Sequence, residues 1–317
     1  ADQMGKKASN VIEGEALDLI VGHRPLYIEG KAEKDDAKAA AGASEGEKYA
    51  VDYMKKEAKE SGDESKAIRR GVMAIMYDLY GIEEDDFISA ELEIVPAGKS
   101  RDAGFDRSMV LGYGHDDRVC AYPSMRAIME AKNLKRTACC ILVDKEEIGS
   151  VGATGMRSRF FENAVAELMN LTKEGYNELS LRRCLANSCM LSSDVSAGFD
   201  PSYASCFEKK NAAFLGHGLV FNKFTGSRGK SGASDANAEY LAEMRKIFEG
   251  NNVKYQVSEL GKVDLGGGGT IAYILANKGI DVVDCGVPVL SMHAPYEVTS
   301  KYDLYTAFKA YKAFWQN

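Results

Sequence analysis

The apolar run Ala138-Cys139-Cys140-Ile141-Leu142-Val143 stops abruptly at Asp144-Lys145-Glu146-Glu147-Ile148-Gly149-Ser150. A run this short, apolar and bounded by charge reads as a buried strand. Open α/β sheets bind ligands outside the carboxyl ends of their strands, so Glu146 and Glu147 stand where such a sheet places its chemistry. Adjacent carboxylates repel unless a cation or a shared proton compensates them. A metal held by one, with the other moving protons, resolves that cost and makes a hydrolytic site. A solvated acidic turn is the plainer alternative, and the surrounding pattern decides between the two.

That pattern alternates between strand and helix. Asp116-Asp117 opens an amphipathic helix carrying Val119, Tyr122, Ile128 and Met129, and Pro123 is expected to loosen or kink its first turns. Phe160, Val165, Leu168 and Met169 mark a second helix. A strand over 186–193 ends at Asp194, a helix covers 236–248, and a strand covers 253–258. The glycines 266–269 precede a helix over 270–276. A strand over 280–284 leads to Ser291-Met292-His293, and a last helix spans 301–315. Strands separated by helices predict a central, largely parallel sheet in residues 108–317. Residues 1–107 read as a smaller α+β region. It begins with a solvated linker over 32–46 and a surface helix over 47–60. A helix bearing Ile68, Val72, Ile75, Met76 and Leu79 follows, ended by Gly81, and then a half-exposed strand through Ile88, Ala90, Leu92 and Ile94, ended by Pro96.

Composition narrows the function. The net charge of −7 disfavours nucleic acid or an anionic membrane surface as a partner, since both select basic patches. No apolar stretch reaches membrane-spanning length, and no apolar core follows the first residues as in a signal peptide, so a cytoplasmic location is expected. The seven cysteines suggest no disulfide framework and include no Cys-x-x-Cys pair, which leaves reduced core cysteines and argues against a thiolate zinc site.

Four groups then stand at element ends: Asp116 after the turn Gly112-Tyr113-Gly114, the pair Glu146 and Glu147, Asp194, and His293. Singly, Asp116 reads as a helix cap, Asp194 as a turn cap and His293 as a core histidine. Converging on one crevice, they suit zinc, manganese or cobalt, and one carboxylate bridging two metals marks a two-metal hydrolase.

The wording of the motifs is also specific. Gly-His-Asp-Asp-Arg-Val-Cys-Ala at 114–121, Val-Asp-Lys-Glu-Glu-Ile-Gly-Ser at 143–150, Ser-Ser-Asp-Val-Ser-Ala at 192–197 and Leu-Ser-Met-His-Ala at 290–294 occur in that order. The chain resembles, over nearly its whole length, the metalloaminopeptidase family of aspartyl aminopeptidase and vacuolar aminopeptidase I. The resemblance implies a phosphorylase/hydrolase-like α/β zinc-exopeptidase domain in 108–317, with a largely parallel mixed sheet. It implies that 1–107 belongs to an inserted dimerisation domain, that dimers assemble into a dodecamer, and that the substrates are peptides with a free N-terminus. It implies two divalent ions, zinc before cobalt or manganese. Carried over by position, Asp116 looks like the bridging carboxylate, Glu146 the general base and acid, Glu147 and Asp194 ligands to separate metals, and His293 a terminal ligand. Lys223, Asp235 and the glycine run, Gly268 and Gly269 in particular, are candidates for substrate contact.

One departure stands out. The family supplies a further histidine ligand in a His-x-Asp motif well before the bridging aspartate. His23 is followed by Arg24-Pro25 and does not match, and His115-Asp116-Asp117 spells the motif in the block of the bridging residue instead. The expectation is a chain that starts late, without the first strands of its catalytic domain. A two-metal deacylase on the same core, or an inactive fragment or assembly subunit, are the competing readings.

Overall fold

A computed structural model describes residues 17–22, 64–228, 231–262 and 267–317. The predicted linker over 32–46 and helix over 47–60 lie outside the described residues. The chain divides into two compact units, Ala1–Glu93 and Ile94–Asn317.

In the first unit, helix α1 spans Glu64–Tyr80 and half-buries Val72, Ile75 and Met76 on one face. Gly81 follows it with φ 68°, a left-handed conformation open to glycine without penalty. The strand predicted through Ile88 to Ile94 is not formed. Asp86–Ser89 make a short helix, α2, and Ile88, Leu92 and Ile94 are exposed. Period-two alternation makes a strand only where a neighbouring strand pairs with it, and among the described residues this stretch belongs to no strand pair.

The second unit opens with the hairpin β1 (Arg101–Ala103) and β2 (Met109–Gly112), followed by helix α3 (His115–Glu130). Its irregularity falls at Asp116 and Asp117, whose dihedrals are non-helical, rather than at Pro123. Helix α4 covers Phe160–Thr172, and helix α5 covers Glu178–Ala186. Asn177 starts α5 with a reciprocal capping box to Ser180. Strands β3 (Cys189–Ser192) and β4 (Ser196–Ala197) flank Asp194. Strand β5 (Leu219–Asn222) is buried throughout, and β6 (Phe224–Ser227) pairs with β7 (Ser231–Asp235). Helix α6 (Ala238–Gly250) is capped by Asn237 and buries Tyr240, Met244 and Phe248, one residue per turn. Strand β8 (Tyr255–Val257), helix α7 (Ala272–Ala276), strands β9 (Asp281–Gly286), β10 (Pro288–Leu290) and β11 (Glu297–Ser300), and helix α8 (Lys301–Gln316) complete the unit.

The strands form two main arrays, β3-β9-β5-β8 and β1-β2-β11-β10-β4. Besides the longer connections from β2 to β3 and from β4 to β5, two short segments pass from one array to the other, β9 into β10 through Val287 and β3 into β4 through residues 193–195. The fold is α/β, but the sheet expected to be largely parallel is mixed. Among the named strands of the described residues, parallel pairs are β3–β9, β5–β8 and β4–β10. The other pairs are antiparallel, because β10 returns directly into β11 and β5 runs against β9. Leu219 and Phe221 pack in the main core with Val283, Cys285 and Val287, and Phe221 stacks on Phe248 at 5.1 Å. A second cluster joins Met169, Leu181, Leu185, Leu275 and Val282.

The run 138–143 forms no regular element and belongs to no strand pair. Ile141 and Val143 pack on the second cluster while Leu142 and Cys139 are exposed. A cavity lined by Ala138, Cys139, Ile141, Met190 and Leu191 separates the run from β3, so the close approach a ladder needs is not met. All seven cysteines are free, but only Cys120 and Cys285 are fully buried. No helix among the described residues is long and apolar enough to cross a membrane.

Candidate metal centre

The crevice beside the run 138–143 encloses about 430 Å³ and is lined by Asp116, Asp117, Glu146, Glu147 and Asp194. The five acids arrive on three separate segments. The β2–β11 ladder, with Gly112 opposite Glu297, delivers the turn that carries Asp116 and Asp117. The latter pair is joined by a cis peptide bond. Glu146 and Glu147 sit on a 3-10 turn, Glu146–Ile148, entered through Lys145 at φ 66°. They were expected at the end of a paired strand. Asp194 occupies the crossing from β3 to β4, and its carboxylate accepts the N–H of Val195 at 2.7 Å. His293 lies between β10 and β11 with φ 65°.

These side chains meet in two sets. Asp116, Glu147 and His293 form one, and Asp116, Asp117 and Asp194 form the other; within each set the ligand atoms lie within 4.8 Å of one another. His293 Nε2 stands 2.9 Å from Asp116 Oδ2 and 3.1 Å from Glu147 Oε1. Asp116 is shared by both sets. Glu146 belongs to neither, though it faces the same crevice.

Crowded carboxylates hold their protons. Burial, then the charge of Glu147, raises Asp116 to about 6. Burial raises Asp117 and Asp194 well above the usual range; the charge of Asp116 adds to the first and that of Asp117 to the second. Burial, with Glu147 and Asp116 behind it, raises Glu146. Asp117 Oδ1 is buried with no hydrogen-bond partner among the described residues. Excess negative charge, an orphaned carboxylate oxygen and an imidazole nitrogen are what hard to borderline divalent cations compensate, so the donor set fits such ions.

The remaining candidates sit elsewhere. Lys223 pairs with Asp235, and the Gly268 carbonyl accepts the N–H of Gly226 beside the β6–β7 hairpin that Gly269 also abuts. None of them lines the crevice. His115 is buried, and its Nε2 bonds the carbonyl of Val110 at 3.1 Å, so it serves the turn. Two residues of the centre escaped the sequence reading. Asp117 was taken only as part of a helix start, although a doubled acid there parallels the doubled acid at 146–147. Glu297, discussed below, gave no chemical signal beyond standing four residues after His293.

The family model described as aminopeptidase I zinc metalloprotease (M18) matches residues 34–315. The chain belongs to the M18 family. It is 54% identical over 317 residues to a probable M18 family aminopeptidase 1 from Clostridium acetobutylicum, covering all of this chain and 61% of that protein. The crystal structure of aminopeptidase I from the same organism matches 81% of this chain and 55% of its own, with a TM-score of 0.74 and 59% identity. An M18 aminopeptidase from Thermotoga maritima matches with a TM-score of 0.77 and 42% identity, over 81% of this chain and 57% of its own. The M18 chain described here thus spans about three fifths of the length of the curated relatives it matches.

Proposed function

We propose that the chain forms the metal centre of an aminopeptidase that removes residues from peptide N-termini. The observation that carries this reading is the shared Asp116, which stands in both ligand sets and so suits a carboxylate between two cations. Asp116, Glu147 and His293 would hold one ion, and Asp116, Asp194 and Asp117 the other. Two divalent cations, zinc before cobalt or manganese, supply Lewis acidity to the scissile carbonyl, acidify water and offer the substrate's free α-amine a partner. Glu146, outside both sets and raised by burial, takes the proton of the attacking water and passes it to the leaving amine as the C–N bond breaks. Membership of the M18 family supports peptides with free N-termini as substrates over acylated amines. Self-association belongs to the same proposal, with residues 1–107 as a dimerisation domain of a dodecamer.

The test is Glu146→Gln assayed with amino-acid anilides in the presence of zinc or cobalt. Whatever turnover the parent shows should be lost while metal content stays near that of the parent. Loss of metal instead would mean that Glu146 is a ligand.

One observation favours a narrower second reading. The set Asp116, Asp117 and Asp194 contains no nitrogen donor among the described residues. On this reading the chain binds metal but does not turn over substrate by itself.

A further inference from the structure

The first residue of β11 is an acid where a strand does not need one. Glu297 is 2% exposed. Its partner across the ladder is Gly112, and that pairing uses only backbone groups. A buried carboxylate is costly unless hydrogen bonds satisfy both its oxygens. Glu297 meets this condition in a particular way. Oε2 accepts the backbone N–H of Asp116 at 3.0 Å, and Oε1 accepts the backbone N–H of His293 at 2.9 Å. One partner is 181 positions away in sequence and the other four. Both amides belong to residues of the Asp116, Glu147 and His293 set.

The clamp also has something to hold. His293 has φ 65° and Ser291 φ 57°, left-handed values that residues with side chains adopt reluctantly. The Asp116 turn is irregular as well, with ψ 108° inside the start of α3. Left to local preference, neither backbone would present its side chain to the other. With one carboxylate bonded to both amides, His293 Nε2 comes to 2.9 Å from Asp116 Oδ2.

We propose that Glu297 is a positioning residue for the metal centre: it bonds the two ligand-bearing turns together and thereby sets the affinity of the cation held by Asp116, Glu147 and His293. The inference rests on the metal reading given above. Bonds to an anion are stronger than bonds to a neutral amide, and groups that orient ligands affect metal affinity nearly as the ligands do.

The test uses the chain as it stands, titrated with cobalt ions, with d–d absorption and calorimetry as readouts. If the parent chain binds no cobalt, the metal reading fails and this inference with it. If the parent binds, Glu297→Gln decides. That variant keeps one acceptor oxygen and loses the other along with the charge. Its affinity should fall about 10- to 100-fold. Glu297→Asp, which keeps the charge but is shorter, should fall less, and it replaces the glutamine variant should the latter not fold. Thr299→Val is the control for mere destabilisation. Thr299 is buried on the same strand, and its hydroxyl donates to Pro288 O at 3.1 Å. It should lower the unfolding midpoint of the metal-free chain and leave cobalt affinity unchanged. In a His293→Ala background, Glu297→Gln should cost much less than in the parent, because the ligand it positions is gone. Unchanged affinity in Glu297→Gln, or an equal loss with and without His293, overturns the proposal.

Discussion

Asp116 serves two ligand sets with one side chain, so its removal should be felt in both. Asp116→Ala is expected to lower occupancy at both positions, whereas Glu147→Ala and Asp194→Ala each weaken mainly one; anomalous scattering at the metal edge, or titration with two distinguishable ions, reads the difference. A second residue-scale prediction concerns pH. Asp284 is fully buried, receives the Thr225 hydroxyl at 3.1 Å, and is raised by burial from 3.8 to about 6. A raised carboxyl means that the folded state binds the proton more tightly than the unfolded state. The stability it contributes is full below about 3.8 and is lost as pH rises through about 6. Asp116 acts in the same direction when no metal is bound. Denaturant midpoints of the metal-free chain should therefore fall between pH 4 and 7, and Asp284→Asn should flatten that slope. At this scale the sequence was informative where chemistry is written into a motif. Asp116, Glu147 and His293 could be named because acids and a histidine punctuate the ends of elements. Asp117 and Glu297 could not, since one orphaned oxygen and two amide contacts exist only after distant turns have met.

Elements with a strong period were legible, and those defined by partners were not. Helices α4, α6 and α8 fall close to their predicted spans because an apolar face repeating each turn is a local property. Strand β5 was overlooked, being too short to show a period, preceded by glycine and ending in asparagine. The run 138–143 had the composition of a strand but lacks the neighbour that would make it one. The contact of α6 with β5 gives an element-scale prediction. Phe248 is fully buried and stacked on Phe221, so Phe248→Ala should cost about 3–5 kcal/mol. Equilibrium urea unfolding is the measurement, and a loss below about 1 kcal/mol would mean that the core can collapse into the space.

At the scale of the whole molecule, the expectation is a chain that binds metal incompletely. The carboxylate-only set should hold its ion weakly, because losing or lacking a direct ligand lowers affinity and leaves like charges uncompensated. Native mass spectrometry of the isolated chain should show at most one firmly bound divalent ion, with little turnover of peptide substrates. Two tightly held ions and full activity would contradict this. The same spectra report whether the chain self-associates. The α/β class and the order of its segments were readable from alternating patterns, but the predominance of antiparallel pairs in the mixed sheet was not, because strand direction depends on which segments cross between arrays. That crossing has one more consequence. At Gly286, where β9 leaves the four-stranded array, a Cβ would fall 1.6 Å from the carbonyl oxygen of Asp194. The residue has no charge, no donor side chain and no place in either ligand set. Any side chain there would nevertheless have to displace the backbone of Asp194. An inventory of functional positions drawn from reactive side chains would omit a site such as this, where the useful property is the absence of an atom.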